Sequence, residues 1–158
     1  MSCSLKLTQF LDEHQVKYVI ISHSRAYTAQ EIAAAVHIPG KELAKSVIVQ
    51  VNGDFIMVVL PATCKIKFDL LKSTLGKENV RLATEDEFKS LFPDCEIGAM
   101  PPFGNLYTIP VYMSEELEED EEIAFNAGTH TDIIRMTTSS YKHLVNPKIL
   151  KVSEHVCP

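Results

Sequence analysis

Three short stretches hold residue types that break the rules of quiet packing, and such breaks are where chemistry tends to lie. Lys45 stands at the head of the apolar run Ser46-Val47-Ile48-Val49. Strand alternation puts it on the face of Val47 and Val49, so its ammonium either snorkels to a rim or points into a cavity. The stretch Gly98-Ala99-Met100-Pro101-Pro102-Phe103-Gly104 joins glycines, which permit close backbone approach, to a proline pair that lacks N–H donors and stiffens the path. It is either a structural turn or a rigid clamp that offers selected main-chain groups to a small polar ligand. In Asn126-Ala127-Gly128-Thr129-His130 a strand-like run ends, a glycine bends the chain and a histidine follows. His130 either orients a substrate or a water there, or is a hydrogen-bonded turn residue.

The remaining candidates are weaker. His23, in Ile21-Ser22-His23-Ser24, follows a strand-like run and could line a cleft; His14, His37, His143 and His155 read as surface or packing positions. No His-Glu-x-x-His and no clustered ligand spacing occurs, so no metal or other cofactor is expected. A serine-hydrolase Gly-x-Ser-x-Gly elbow, a dinucleotide Gly-x-Gly-x-x-Gly loop and a Walker lysine are all missing. Cys3, Cys64, Cys95 and Cys157 lie far apart with no Cys-x-x-Cys, and read as free, partly buried thiols.

The elements that must position these residues can be read from periodicity and punctuation. Leu7, Phe10, Leu11 and His14 share one helical face, so residues 4–15 are an amphipathic helix. Tyr18 to Ile21 is β-branched and aromatic, hence a strand. Thr28-Ala29-Gln30-Glu31 is a capping box opening an alanine-rich helix that stops before Pro39-Gly40. Ser46 to Val51, Asn52-Gly53 and Asp54 to Leu60 form the clearest hairpin, because Asn-Gly supplies the positive φ angles of a two-residue turn. A short helix over Asp69 to Leu75 is closed by Gly76. Val80 to Leu82 is a short strand, and Thr84 opens a second capping box with Glu87. Tyr107 to Met113, Ile123 to Asn126 and Asp132 to Met136 are strands. A helix capped by Ser139 or Ser140 runs to Val145, and the tail is irregular or extended. Strands with interspersed helices, lacking strict alternation, predict an α+β domain on an antiparallel or mixed sheet.

Composition bounds the rest. The chain has 158 residues, 46% hydrophobic and 23% charged, which is one globular domain spanning residues 1–158 rather than a disordered chain. No apolar run approaches the ~20 residues of a membrane helix. The N-terminus lacks the basic-then-apolar order of a signal peptide, so a cytoplasmic protein is expected. Net charge is −6 but uneven: residues 41–81 hold seven basic groups against four acidic, while residues 82–122 hold one against twelve. The run Glu115-Glu116-Leu117-Glu118-Glu119-Asp120-Glu121-Glu122 is expected to be an exposed loop or frayed helical turn. An acidic total disfavours indiscriminate nucleic-acid coating, although a local basic patch can still meet a phosphate chain.

Taken in order, Ala44-Lys45, the Gly-x-x-x-Pro loop from Gly98 to Pro102 and Gly128-Thr129-His130, with His23 and Thr28-Ala29-x-Glu31 upstream, resemble the YbaK/prolyl-tRNA synthetase-associated editing family. The resemblance runs from about Val16 to Leu144, and Pro101-Pro102-Phe103-Gly104 is most similar to the branch that clears alanine from tRNA(Pro). It implies a mainly antiparallel, barrel-like sheet with surrounding helices. It also implies hydrolysis of the ester between a wrong amino acid and the terminal adenosine of tRNA, without metal, cofactor or enzyme nucleophile. By the same resemblance Lys45, Gly98, Pro102 and His130 are the catalytic set: Lys45 holds a phosphate or ribose, the loop clamps the aminoacyl carbonyl, and His130 holds the aminoacyl end or the water. His23, Tyr27, Ser46, Ala99, Met100, Pro101, Gly128 and Thr129 are the implied substrate-binding residues. Ser46 stands where the alanine-specific branch often has asparagine.

The implied partner is the acceptor end of mischarged tRNA, with prolyl-tRNA synthetase or an elongation factor as escort, and neither DNA nor a membrane. The basic stretch 41–81 is expected to track the acceptor stem, with the acidic run turned away. Ala-tRNA(Pro) is the favoured substrate. Two alternatives stay open: a deacylase for Cys-tRNA(Pro) or another small amino acid, and a module that binds aminoacyl-tRNA or a free amino acid without cleaving it.

Overall fold

The computed structural model describes residues 5–22, 41–151 and 153–155. The helix expected from Thr28 lies outside them. The opening helix is α1 (Leu5–Glu13), with Leu7 and Leu11 buried on its inner face. Strand β1 (Val19–Ser22) follows. The Asn52-Gly53 hairpin forms as its turn chemistry requires, joining β2 (Ala44–Val51) to β3 (Asp54–Pro61) in antiparallel register from Ala44↔Pro61 to Val51↔Asp54. Then come β4 (Cys64–Ile66), α2 (Phe68–Leu75) ending at Gly76, and β5 (Val80–Leu82).

Helix α3 (Glu85–Phe88) shows both bonds of its capping box, Glu87 N–H to Thr84 Oγ1 and Thr84 N–H to the Glu87 carboxylate. A 3₁₀ turn (Gly104–Tyr107) leads to β6 (Val111–Ser114), α4 (Glu115–Glu118), β7 (Glu122–Asn126), β8 (Asp132–Thr137), α5 (Thr138–Val145), β9 (Lys148–Leu150) and β10 (Ser153–His155). Two local expectations change. The cap of α5 is Thr137, which sits in extended geometry and accepts from Ser140 N–H, so neither serine is the cap. The strand expected from Tyr107 begins only at Val111, because Gly104–Tyr107 forms a 3₁₀ turn; the acidic run takes the second of its two expected forms, a helical turn at Glu115–Glu118 capped by Ser114, with Leu117 buried.

The fold is α+β, as expected. A five-stranded mixed sheet has the order β5-β2-β3-β6-β9, a three-stranded antiparallel sheet the order β1-β8-β7, and β10 pairs β4. The two larger sheets meet at one isolated parallel bridge, Leu43↔Ala124, and do not close into a barrel among the described residues. Strand alternation splits the interior. Ala44 and Ile48 of β2 and Met57 and Val59 of β3 face one cluster, shared with α1, β7, β8, Phe103 and Tyr141. Val49, Val58, Leu60 and Cys64 face the other, which α2 covers with Leu71. Phe103 is the hub of the first: its ring lies 5.5 Å from that of Phe125 and 5.3 Å, edge-on, from that of Tyr141.

Candidate active site

The turn between β7 and β8 is built around a carboxylate. Asp132 is buried, and a buried carboxylate is tolerated where it is well hydrogen-bonded. It accepts from Thr129 Oγ1 at 2.7 Å, Thr131 Oγ1 at 3.4 Å and Ser22 Oγ at 2.9 Å. Those bonds tie the turn to the end of β1. Sequence reasoning misses Asp132; the available signal is hydroxyls one and three residues before an aspartate that opens a strand.

The glycine–proline loop docks on this turn through main-chain bonds. Gly128 N–H donates to the Ala99 carbonyl at 3.0 Å, Glu96 N–H to the Gly128 carbonyl at 2.7 Å, and Ala99 N–H to the Glu96 carbonyl at 3.0 Å. His130 is 5% exposed. Its main-chain N–H reaches Glu96 Oε1, and its Nε2–H donates to the Ile97 carbonyl at 2.8 Å. The carbonyl acceptor fixes the proton on Nε2. The His130 ring lies against the loop at Ile97 and Gly98. A Cβ placed on Gly98 would stand 3.4 Å from His130 Cε1, and Gly98 has φ +85°. Glycine is thus required twice, by neighbour and by backbone.

From the other side, the buried Tyr141 hydroxyl donates to the Pro102 carbonyl at 2.6 Å, and Phe103 N–H to the Pro101 carbonyl at 2.8 Å. Burial raises the Tyr141 pKa, so it stays a donor. Pro101 and Pro102 have no N–H. Among the described residues this leaves the N–H and C=O groups of Gly98 and Met100, and the Gly104 N–H, without main-chain partners. Gly98 and its neighbour Ile97, 42% exposed, are open to solvent.

Lys45 and Ser46 approach from β2. Beside the Leu43↔Ala124 bridge, Ala124 N–H donates to the Glu42 carbonyl at 2.9 Å. Lys45 pairs with Leu60 in β3 and shares the face of Val47 and Val49. Burial lowers its pKa, partly offset by the charge that Cys64 carries when ionised. Ser46 turns to the opposite face with Ala44 and Ile48.

The Ser46 Oγ and the Asn126 Oδ1 are shut off from solvent, and no group among the described residues bonds either. Leaving such an atom unpaired costs about 1–3 kcal/mol, a cost that a ligand can relieve. In sequence, Asn126 opens the stretch that ends at His130 but is given no role of its own.

The structure therefore gathers Gly98, Ala99, Gly128, Thr129 and His130 into one bonded unit, with Met100, Pro101 and Pro102 buried behind it. Lys45 and Ser46 stand on β2 with their side chains on opposite faces, and among the described residues no hydrogen bond links them to the loop. His23 and Tyr27 lie outside the described residues. Cys64 Sγ–H donates to Glu116 Oε2 at 3.2 Å, and Arg135 bridges Glu42 and Glu122 at the head of β2.

A family model for the aminoacyl-tRNA editing domain matches residues 23–144. The chain belongs to that family. The class of reaction for an aminoacyl-tRNA editing domain is removal of the amino acid from tRNA by ester hydrolysis, so the chain is an aminoacyl-tRNA deacylase. The proline–tRNA ligase of Staphylococcus saprophyticus is 36% identical over 105 residues, 65% of this chain and 18% of the ligase. That of Staphylococcus aureus (strain Newman) is 39% identical over 74 residues, 47% of this chain and 12% of the ligase. The editing domain thus spans less than a fifth of either ligase. A solved structure described as a candidate trans-editing enzyme for prolyl tRNA synthetase superposes with TM-score 0.81 at 22% identity, covering 96% of both chains. Another, described as a hypothetical protein, gives TM-score 0.85 at 21% identity over 94% of this chain and 99% of that one. These likenesses show the fold. Among the described residues no helix is long and apolar enough to cross a membrane.

Proposed function

We propose that this editing domain acts in trans on mischarged tRNA(Pro), with Ala-tRNA(Pro) its favoured substrate. The observation that carries the reading is the loop whose unpartnered main-chain groups, among the described residues, include those of Gly98 and Met100, held from one side by His130 and from the other by Tyr141. Rigid N–H donors aimed at an ester carbonyl stabilise the oxyanion that forms on attack, and in many acyl transfers this stabilisation lowers the barrier more than any other effect. Water adds to the ester carbon, the bond to the ribose oxygen breaks, and the water's proton ends on that oxygen, releasing alanine and uncharged tRNA. Lys45 at the head of β2 is a point charge for a terminal phosphate or ribose. His130 is a positioning residue that acts through Gly98.

Discrimination by size explains why such a site is needed. A pocket shaped for proline rejects a smaller residue by only about 1–3 kcal/mol per methylene, whereas a second, narrower site admits the smaller one and excludes proline. The proline–tRNA ligases among the relatives support tRNA(Pro), with prolyl-tRNA synthetase as escort. The candidate trans-editing neighbour, which matches over nearly its whole length, supports action in trans. The test is a deacylation panel of tRNA(Pro) carrying alanine, cysteine, serine, 2-aminobutyrate or proline. Alanine should leave fastest and proline not at all. Fastest release of cysteine would move the substrate to Cys-tRNA(Pro), and binding without release of any amino acid would make the domain a sensor.

A further inference from the structure

We propose that Tyr107 is a positioning residue of the deacylase: its hydroxyl, bonded to Asp94, staples the exit of the glycine–proline loop to its entry and so holds the main-chain groups of Gly98 and Met100 in place. The inference rests on the deacylase reading and deepens it, because it names what fixes the two ends of the loop. The Tyr107 hydroxyl donates to the Asp94 carboxylate across 13 positions, 2.9 Å from Oδ1 and 3.1 Å from Oδ2, and Cys95 Sγ lies 3.3 Å from the same hydroxyl oxygen. Asp94 and Cys95 lead directly into Glu96, whose N–H donates to the Gly128 carbonyl and whose carboxylate accepts from the His130 N–H. Burial pushes the Tyr107 pKa up, and that of Cys95 up to about 12. The hydroxyl therefore stays a donor, and the thiol brings no second negative charge beside Asp94.

The staple bears on the loop because the exit is stiff. Leu106 N–H donates to the Phe103 carbonyl and Ile109 N–H to the Gly104 carbonyl, each at 2.9 Å. A Cβ on Gly104 would stand 2.6 Å from the Ile109 carbonyl oxygen, so the turn closes too tightly for any other residue there. Thr108 has φ +60°, a left-handed backbone that a β-branched residue seldom adopts, and its neighbours must hold it there. The Phe92 ring centroid lies 4.6 Å from that of Tyr107, and Lys6 Nζ of α1 lies 4.7 Å from it. Elsewhere Tyr107, Thr108, Ile109 and Pro110 border a cavity of about 700 Å³ with Phe55 and Leu91, so close packing does not brace the exit on that side. A directed bond to Asp94 supplies what packing there does not. With it the loop is tied at three places: Glu96 to Ala99 by the Gly128–His130 turn, Pro102 by Tyr141, and its two ends by Tyr107.

The experiment compares the wild-type chain with Tyr107→Phe, Asp94→Ala, the double variant and Asp94→Asn, by steady-state deacylation of Ala-tRNA(Pro) and by amide hydrogen exchange. Tyr107→Phe keeps the ring and removes the hydroxyl. It should lower kcat about 10-fold and leave KM within about twofold, because a donor displaced by a fraction of an ångström is felt in the reaction more than in binding. The bonded amides of Ala99 and Leu106 should exchange about 10- to 100-fold faster, the range of one hydrogen bond to a charged acceptor, while those of the β2–β3 hairpin keep their wild-type rates. In the Asp94→Ala background Tyr107→Phe should add little, since the bond is already gone. Asp94→Asn keeps an oxygen for the hydroxyl and should retain most of kcat. An unchanged kcat in Tyr107→Phe, a rise in KM in place of the fall in kcat, or exchange that quickens equally in the hairpin overturns the role of Tyr107 and leaves the deacylase reading intact. A wild-type chain that releases no amino acid from any charged tRNA(Pro) overturns the two together.

Discussion

The two ends of β2 make a useful contrast. At one end Asn52-Gly53 turns the chain, Gly53 has φ +91°, and a Cβ there would meet nothing within 4 Å. Every β2 residue at that end has its partner in β3. At the other end lie Lys45, Ser46 and, beyond the bridge, Asn126 and the Gly98 loop. Gly98 has nearly the same φ as Gly53 but stands against the His130 ring. Ser46 Oγ and Asn126 Oδ1 there lack partners among the described residues. One glycine serves only the chain's own geometry, and the other also leaves room for the His130 ring. The difference teaches that a shared backbone angle says little about role until the neighbours are known.

Substitutions can break this contrast. The largest effect is expected from Lys45→Ala, which should lower kcat/KM for Ala-tRNA(Pro) by about 10²-fold or more, the scale of losing a charged group that anchors the reacting end. Comparable rates for the two proteins would remove Lys45 from the site. Because burial lowers the Lys45 pKa, the ammonium loses its proton at a pH below the ordinary 10.5. Affinity for tRNA that depends on Lys45 should therefore fall as pH rises through that lowered value, and the fall should vanish in Lys45→Ala.

Next in size is the glycine pair. Gly98→Ala should cut kcat about 10- to 100-fold, because moving a positioned donor by fractions of an ångström is felt in the rate. Gly53→Ala should leave kcat alone and cost about 1 kcal/mol of stability through its positive φ. Pro102→Ala, which loosens the clamp, and His130→Ala belong with Gly98→Ala, with a smaller loss for His130. In a double-mutant cycle Gly98→Ala and His130→Ala should be non-additive, since the ring is what the new methyl meets. The smallest effect is Thr84→Ala, remote from the site, which removes a cap worth about 1 kcal/mol in chemical denaturation and leaves deacylation unchanged.

How much is legible in the sequence follows the same division. Where local chemistry dictates shape, expectation and structure lie close: the Asn-Gly hairpin, the Thr84 capping box, the Gly76 helix end and the opening helix fall within a residue or two of the expected places. The ordered motifs also point to the loop and the turn that the structure bonds together. Long-range pairing is not legible. Nothing local announces that β3 pairs with β6 and β6 with β9 in parallel, or that Leu43 bridges Ala124. Tyr141, in sequence one residue of a short helix, proves to hold the Pro102 carbonyl from 39 positions away. Asp132 and Asn126 are hidden for a different reason: a strand-end polar residue looks the same in sequence whether its side chain meets solvent or closes a site.

The bond between Ser22 and Asp132, spanning 110 positions, has a bearing on how the protein is made. Strand β1 emerges early in synthesis, but its partner β8 follows only when most of the chain has been translated. Loop-closure entropy must be met before such a contact can stabilise anything. The frame around the Gly128-Thr129-His130 turn is therefore among the last parts to assemble on the ribosome. A nascent chain that stalls before residue 132 carries β1 without its partner strand.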